Sequence, residues 1–308
     1  MFRIDRFLTL HLFKHLMRVF PQQRGVRIPI LMYHSICDEP ENGYPYFWIN
    51  TSPKLFAEQM KFLHDNNYKA IDLPEAVKLI ESVSLSSVIR NNRSVIRSSS
   101  LHPTPSSLHP DKYVVLTFDD GYRDFYTTAS SILNRYGFSA TVFLPTSFIN
   151  NSKKPGLKGK EHLSWAEVRE LQKIGTRFGS HTVNHQQLIN LDEPTIRLEL
   201  KVSKERIEDE TGGEVEDFSY PYRFPDQAKS FVENLENLLR EYKYKQGIST
   251  RIGTFHCIRE RFLLKRIPVN STDDLPFFKA KIEGGYNWIY KMQYFLKKSR
   301  ESISMVCI

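Results

Sequence analysis

Cysteine is scarce in this chain of 308 residues, and the three present, Cys37, Cys257 and Cys307, lie far apart. An odd, scattered set excludes a disulfide framework and a cysteine zinc knuckle, and it fits a reducing compartment. Long apolar runs are also lacking. In the N-terminal stretch MFRIDRFLTLHLFKHLMRVFPQQRGVRIPI, Arg, Lys and His interrupt the apolar positions. No segment there is long enough to span a bilayer, and there is no clean signal-peptide core. The expected location is the cytoplasm or the inner membrane face. An ordered alternation of basic and aromatic residues is absent too. The formal charge of +8 and the pI near 9.2 therefore point to anionic surroundings but not to nucleic acid.

Hydrophobic residues at 40% and charged residues at 25% describe a globular chain, long enough for one large domain or two small ones. Within residues 1–27, Phe7, Leu8, Leu10, Leu12, Phe13, Leu16 and Met17 alternate with Arg6, Lys14 and Arg18. That pattern predicts a basic amphipathic helix. Two placements fit it: peripheral contact with an anionic membrane through residues 1–20, or docking on the domain's own core.

Strand and helix signals then alternate. RIPILMYH reads as a strand over 28–33 ending at a histidine, and KYVVLTF as a buried strand over 113–118 leading into DDGYRD. SATVFLP, RFGSHTVNH and VEDFSYPY supply further strands, with SWAEVRELQKIG as a helix carrying a capping box at Ser164 and Glu167. Residues 73–80 read as a short helix. Nine of the residues 94–109 are Ser, Thr or Pro, so about 82–110 reads as a mobile surface insertion. The body of the domain is expected over 28–275, with 276–308 as an extension. Alternating strands and helices imply βα units around a mainly parallel sheet or barrel, an α/β fold. Three polar clusters, at Asp119–Asp120, His181–His185 and Tyr220–Tyr222, fall just after predicted strands, where such folds assemble their sites.

Two adjacent carboxylates at the end of an apolar strand repel each other and lose hydration, which a divalent cation would offset. A helix cap plus a solvent-facing carboxylate is the bland alternative for TFDDG on its own. His181 and His185, spaced i, i+4, can share one ion from a helical turn or a tight loop. With an Asp they form a His-His-Asp set; zinc suits it, and nickel, cobalt, iron or manganese accept the same donors.

The order TFDDG then HTVNH, with PILMYHS, SATVFLP, DFSYPY and LLKRIPV around it, resembles the polysaccharide deacetylase family, the NodB-homology domain of carbohydrate esterase family 4. The resemblance runs from about Ile28 to Val269. It implies a distorted, partly open (β/α) barrel and metal-dependent hydrolysis of N-acetyl groups on N-acetylhexosamine units of a polysaccharide or glycan. By the same resemblance Asp119 corresponds to the general base, and Asp120, His181 and His185 to the metal ligands. The segment SYPYRFP lines the cleft, with Tyr222, Tyr220 and Arg223 as substrate-binding candidates. Many relatives begin that segment with an Arg that braces the base; here Ser219 stands there, and Arg223 follows later. The usual C-terminal Leu-x-His acid is not evident either, since His256 sits in a different context. Relatives acting on poly-N-acetylglucosamine have a YHS-type histidine on an early strand, a resemblance that makes His34 the candidate general acid; a structural histidine hydrogen-bonded inside the barrel mouth is the alternative. An O-acetyl-carbohydrate esterase and a non-catalytic carbohydrate-binding protein are the rival readings.

Overall fold

The computed structural model describes residues 3–14, 16, 26–92, 112–150, 156–256, 260–290 and 292. Ten strands are described: β1 (Ile30–Tyr33), β2 (Ser35–Ile36), β3 (Asn50–Thr51), β4 (Tyr68–Ala70), β5 (Lys112–Phe118), β6 (Thr141–Leu144), β7 (Arg177–Ser180), β8 (Asp217–Ser219), β9 (Gln246–Ile252) and β10 (Leu264–Pro268). The apolar runs are nearly continuous because these strands are covered on both faces, as parallel strands are. Seven of them, in the order β1-β10-β9-β8-β7-β6-β5, form a parallel ring that closes where β1 pairs with β5, Leu31 against Leu116. The expected barrel is thus present. It is closed through that seam and distorted elsewhere: β7 and β8 share the single registered pair Ser180 and Phe218, and the β9–β10 register shifts between Leu264 and Arg266.

Eight α-helices are described: α1 (Ile4–Leu8), α2 (Pro53–Asp65), α3 (Leu73–Asn92), α4 (Ser130–Arg135), α5 (Trp165–Lys173), α6 (Glu193–Thr211), α7 (Lys229–Glu241) and α8 (Leu275–Ala280). Their starts follow local chemistry. Ser52 caps α2 with Pro53 at its first position, and Ser164 with Glu167 completes the capping box of α5. Helix α6 buries Ile196, Leu200, Ser203 and Ile207, the three-and-four spacing of its sequence, against the barrel. Trp165 is buried in the core.

Two boundaries differ from the sequence reading. Residues 82–92 continue α3, because no Pro or Gly interrupts the chain between Pro74 and Pro103; residues 93–111 lie outside the described residues. Residues 276–290 are not an appendage either: Phe277, Phe278, Ala280 and Lys281 are buried, and the Lys281 ammonium lies 2.7 Å from Asp273.

Strand β8 opens on Asp217, which is fully buried with Oδ1 lacking a hydrogen-bond partner. Burial pushes its pKa up to about 7; Asp72 and Glu216 add to this, while Arg177 and Lys204 oppose it. An acid raised in the fold is more stabilising when protonated, so stability is fully present below the unfolded pKa of about 3.9 and falls as pH climbs to 7. Asp217→Asn keeps the shape without the charge. Unfolding titrations should find the variant more stable by about 2–4 kcal/mol near pH 8, with the difference vanishing near pH 4.

Candidate active site

The two carboxylates of TFDDG leave β5 together because the chain turns sharply there. The Asp119 N–H donates to the Tyr33 carbonyl at 3.0 Å, tying the strand end to β1. Asp120 and Gly121 then both take positive φ, 71° and 60°. A regular strand would send neighbouring side chains to opposite faces; two left-handed residues in succession cancel that alternation. Only glycine fits at 121, since a Cβ there would come within 2.8 Å of Leu144 Cδ2 at a strained φ.

His181 and His185 meet on a loop, not on a helical turn. They follow β7, with Thr182 and His185 at φ 69° and 53°. Glu199 of α6 shapes this loop: one carboxylate oxygen accepts the N–H groups of Val183 and Asn184 at 2.7 and 2.8 Å, and the other accepts Asn184 Nδ2 at 2.7 Å. His181 Nδ1 donates to the Ser219 carbonyl at 2.8 Å, which leaves the Nε2 lone pair facing Asp120 Oδ1 at 3.4 Å. His185 Nε2 lies 3.1 Å from the same oxygen.

The donor atoms of Asp120, His181 and His185 all lie within 4.8 Å of one another. A lone pair aimed at a carboxylate oxygen is repulsive unless a cation or proton stands between them. Two imidazole nitrogens and a carboxylate fit a divalent ion of the zinc type. Burial alone would raise the Asp120 pKa, but the facing imidazoles of His181 and His185, which bind a proton more readily beside its charge, hold it well below the usual carboxylate range. The phenol of buried Tyr122 also donates to Asp120, and burial keeps that phenol protonated. Glu199→Ala should loosen the loop and weaken zinc binding by about 10–100-fold, read by competition with a chromophoric chelator; unchanged affinity would refute this role for Glu199.

Asp119 is braced, and from an unexpected place. Arg266, 1% exposed on β10, grips it with two parallel bonds, Nη1 to Oδ1 at 2.8 Å and Nη2 to Oδ2 at 2.7 Å. The Arg266 Nε donates to the Ser249 carbonyl at 3.0 Å, and the Ser219 hydroxyl sits between the partners, 3.3 Å from Asp119 and 3.2 Å from Arg266. Ser219 therefore adjoins a brace supplied by another strand, and Arg223 is exposed. Burial would raise the Asp119 pKa; the Arg266 charge outweighs it and holds the group below its ordinary value. The sequence signal was there in LLKRIPV, where a cation stands among apolar strand residues.

His34 follows β1 and is half-buried. Burial lowers its pKa, Asp120 and Asp119 pull it upward, and Arg266 and His181 push it down, so it faces the same charges as the metal set. Tyr222 stands at the mouth, 47% exposed, its ring 4.7 Å from that of His185. Tyr220 does not: it is 2% exposed and packs on Phe224 at 4.8 Å, so it is a core residue with no surface to offer a sugar. His256 is exposed, its Nδ1 3.1 Å from the Thr254 carbonyl. His162 packs on Tyr122 at 5.2 Å, with burial lowering its pKa to about 4.

A family model described as polysaccharide deacetylase matches residues 107–246. The chain is 27% identical over 262 residues to "Putative polysaccharide deacetylase YxkH" of Bacillus subtilis (strain 168), covering 85% of this chain and 78% of that protein. A shorter stretch of 83 residues is 34% identical to poly-beta-1,6-N-acetyl-D-glucosamine N-deacetylase of Escherichia coli (strain K12), covering 24% of this chain and 12% of that one. In fold it is similar to Streptococcus pyogenes deacetylase PplD in complex with acetate, at a TM-score of 0.64 and 23% identity over 84% of this chain and 99% of that one. Together these likenesses place residues 107–246 in the polysaccharide deacetylase family, the NodB-homology group of carbohydrate esterase family 4, a family of hydrolases that deacetylate carbohydrates.

Proposed function

We propose that the protein hydrolyses N-acetyl groups of N-acetylhexosamine units in a polysaccharide or glycan, releasing acetate in a metal-dependent reaction. One observation carries the reading: an ionised carboxylate, Asp119, is clamped by Arg266 beside a separate Asp-His-His set. A carboxylate that only neutralised its neighbour would not need its own buried guanidinium. The short stretch shared with the Escherichia coli enzyme favours a polymer of N-acetylglucosamine as the substrate.

Asp120, His181 and His185 would hold the ion, zinc first, with nickel, cobalt, iron or manganese accepting the same donors. When bound, it supplies Lewis acidity toward the acetyl carbonyl and lowers the pKa of water. Asp119, ionised throughout the physiological range, takes a proton from the attacking water as the new carbon–oxygen bond forms. His34 passes its proton to the sugar nitrogen as the carbon–nitrogen bond breaks. The burial that lowers its pKa makes its imidazolium the stronger acid for that step. Tyr222 offers an open aromatic face to the sugar beside His185. The products are acetate and a free amine on the glycan.

The test is elemental analysis of the purified protein together with acetate release from matched N- and O-acetylated oligosaccharides, among them chito-oligomers and β-1,6-linked N-acetylglucosamine oligomers. Release from the N-acetylated set with a metal present is expected. Preference for the O-acetylated partners would replace the reading by an esterase. A folded, metal-replete protein that releases nothing from either set would remove it.

A further inference from the structure

The N-terminal helix is mounted with its polar side inward. Helix α1 and the wider-wound turn that continues it, Thr9–Phe13, bind the body through Arg3, which contacts Thr272 and Asp273, and through Arg6, which pairs with Asp274. Asp5 accepts from the Tyr286 hydroxyl at 2.7 Å, and Thr9 from the Trp288 indole at 3.0 Å. Phe13, apolar in the sequence pattern, stacks on Trp288 at 4.4 Å with planes 10° apart. What faces outward is apolar: Ile4 is 64% exposed, Phe7 47%, Leu12 45% and Leu16 40%. Among them stands His11, also exposed, its ring 4.7 Å from that of Phe7. A helix stable only in water would present the opposite side.

Charge decides what lies against this face. Residues 1–27 hold six Arg and Lys against one Asp; Arg3 and Arg6 are paired with Asp273 and Asp274, which leaves the segment and its anchors with a net charge of about +3. The single acid, Asp5, is turned inward. A second copy docking through the same face would bring two such concentrations together, which like-charge repulsion opposes. An anionic, featureless apolar medium satisfies both the row of side chains and the net positive charge of the segment. Aromatic side chains nearby suit the same medium. Tyr46 packs on the cluster of Ile252, Phe277, Tyr286 and Ile289 that also receives Leu10, and its neighbours Tyr44 and Phe47 are 66% and 71% exposed.

We propose that the outward face of residues 4–16 rests on an anionic lipid surface and attaches the protein peripherally to a bilayer. The anchor points 272–274 follow β10 directly, at the end of the barrel that carries Asp119, Asp120 and His34, so attachment holds the catalytic mouth beside the bilayer and not on its far side. The proposal does not depend on which acyl group the site removes.

Co-sedimentation of the full chain with vesicles tests it. Wild type should pellet with vesicles of equal parts phosphatidylglycerol and phosphatidylcholine, and weakly with phosphatidylcholine alone. Ile4→Glu with Leu12→Glu should reduce the bound fraction about tenfold or more, with acetate release from soluble oligomers and the melting transition unchanged. The milder pair Ile4→Gln and Leu12→Gln, which tests the same face should the first fail to fold, should give a smaller loss. Wild type that stays in solution with both vesicle types overturns the proposal. So does a glutamate variant that binds as wild type does. A dimer seen by light scattering that the substitutions dissolve also overturns it, and assigns the face to a second copy.

Discussion

Asp119→Asn should abolish acetate release, by on the order of 10²–10⁴-fold in kcat, while metal content stays at the wild-type level. The amide cannot accept the proton of the attacking water, so that step loses its acceptor. Metal should be retained because the residues proposed to hold it, Asp120, His181 and His185, are unaltered. A cost in stability accompanies the loss, since Arg266 is left as a buried guanidinium facing a neutral group. Rates should therefore be taken well below the melting transition. Residual turnover within tenfold of wild type, at full metal occupancy, would show that Asp119 is a structural partner of Arg266 and no more.

Removing the other half of the pair should do different damage. Arg266→Met leaves a buried carboxylate without its counter-charge and should cost about 3–5 kcal/mol of stability. It should also move the pH profile. With Arg266 present Asp119 sits below the usual carboxylate range; without it, burial is unopposed by that charge and the pKa rises. A base must be ionised to work, so the acid limb of kcat/KM should shift to higher pH. Arg266→Lys should give an intermediate shift, because an ammonium cannot reproduce the two parallel bonds. Combining Arg266→Met with Asp119→Asn removes both charges at once, and the double variant should be more stable than the two single losses predict. Strict additivity would mean that the two groups do not depend on each other.

The site was legible where its chemistry is local. Asp119 and Asp120 adjoin in the chain, and the electrostatic cost of placing them at a strand end can be read from the letters; His181 and His185 are four residues apart. Arg266 was legible only as an odd cation among the apolar residues of LLKRIPV; its partner was not, because it reaches Asp119 across 147 residues and only the closure of the ring makes them neighbours. Glu199 was hidden for a related reason: its carboxylate is spent on backbone N–H groups, which leave no mark in a sequence. Tyr220 and Tyr222 look alike in YPY. The backbone separates them, one buried directly after β8 and the other at φ 57° on the turn that follows. The barrel itself was legible from the alternation of buried strands and capped helices, whereas the end of α3 was not, since Ser-rich composition does not forbid a helix that meets no Pro or Gly.

The closing seam has a consequence for the distances of the proposed chemistry. Tyr33 is paired with Phe118, so His34 and Asp119 are the next residues along two hydrogen-bonded strands. Their Cα positions are thus separated by roughly one inter-strand spacing, about 4.8 Å, which backbone hydrogen bonds dictate and side-chain volume hardly affects. Substitutions of core residues can accumulate without altering that interval. A slip of β1 by a single position, however, would carry the imidazole away from the carboxylate while leaving every polar residue of the site intact.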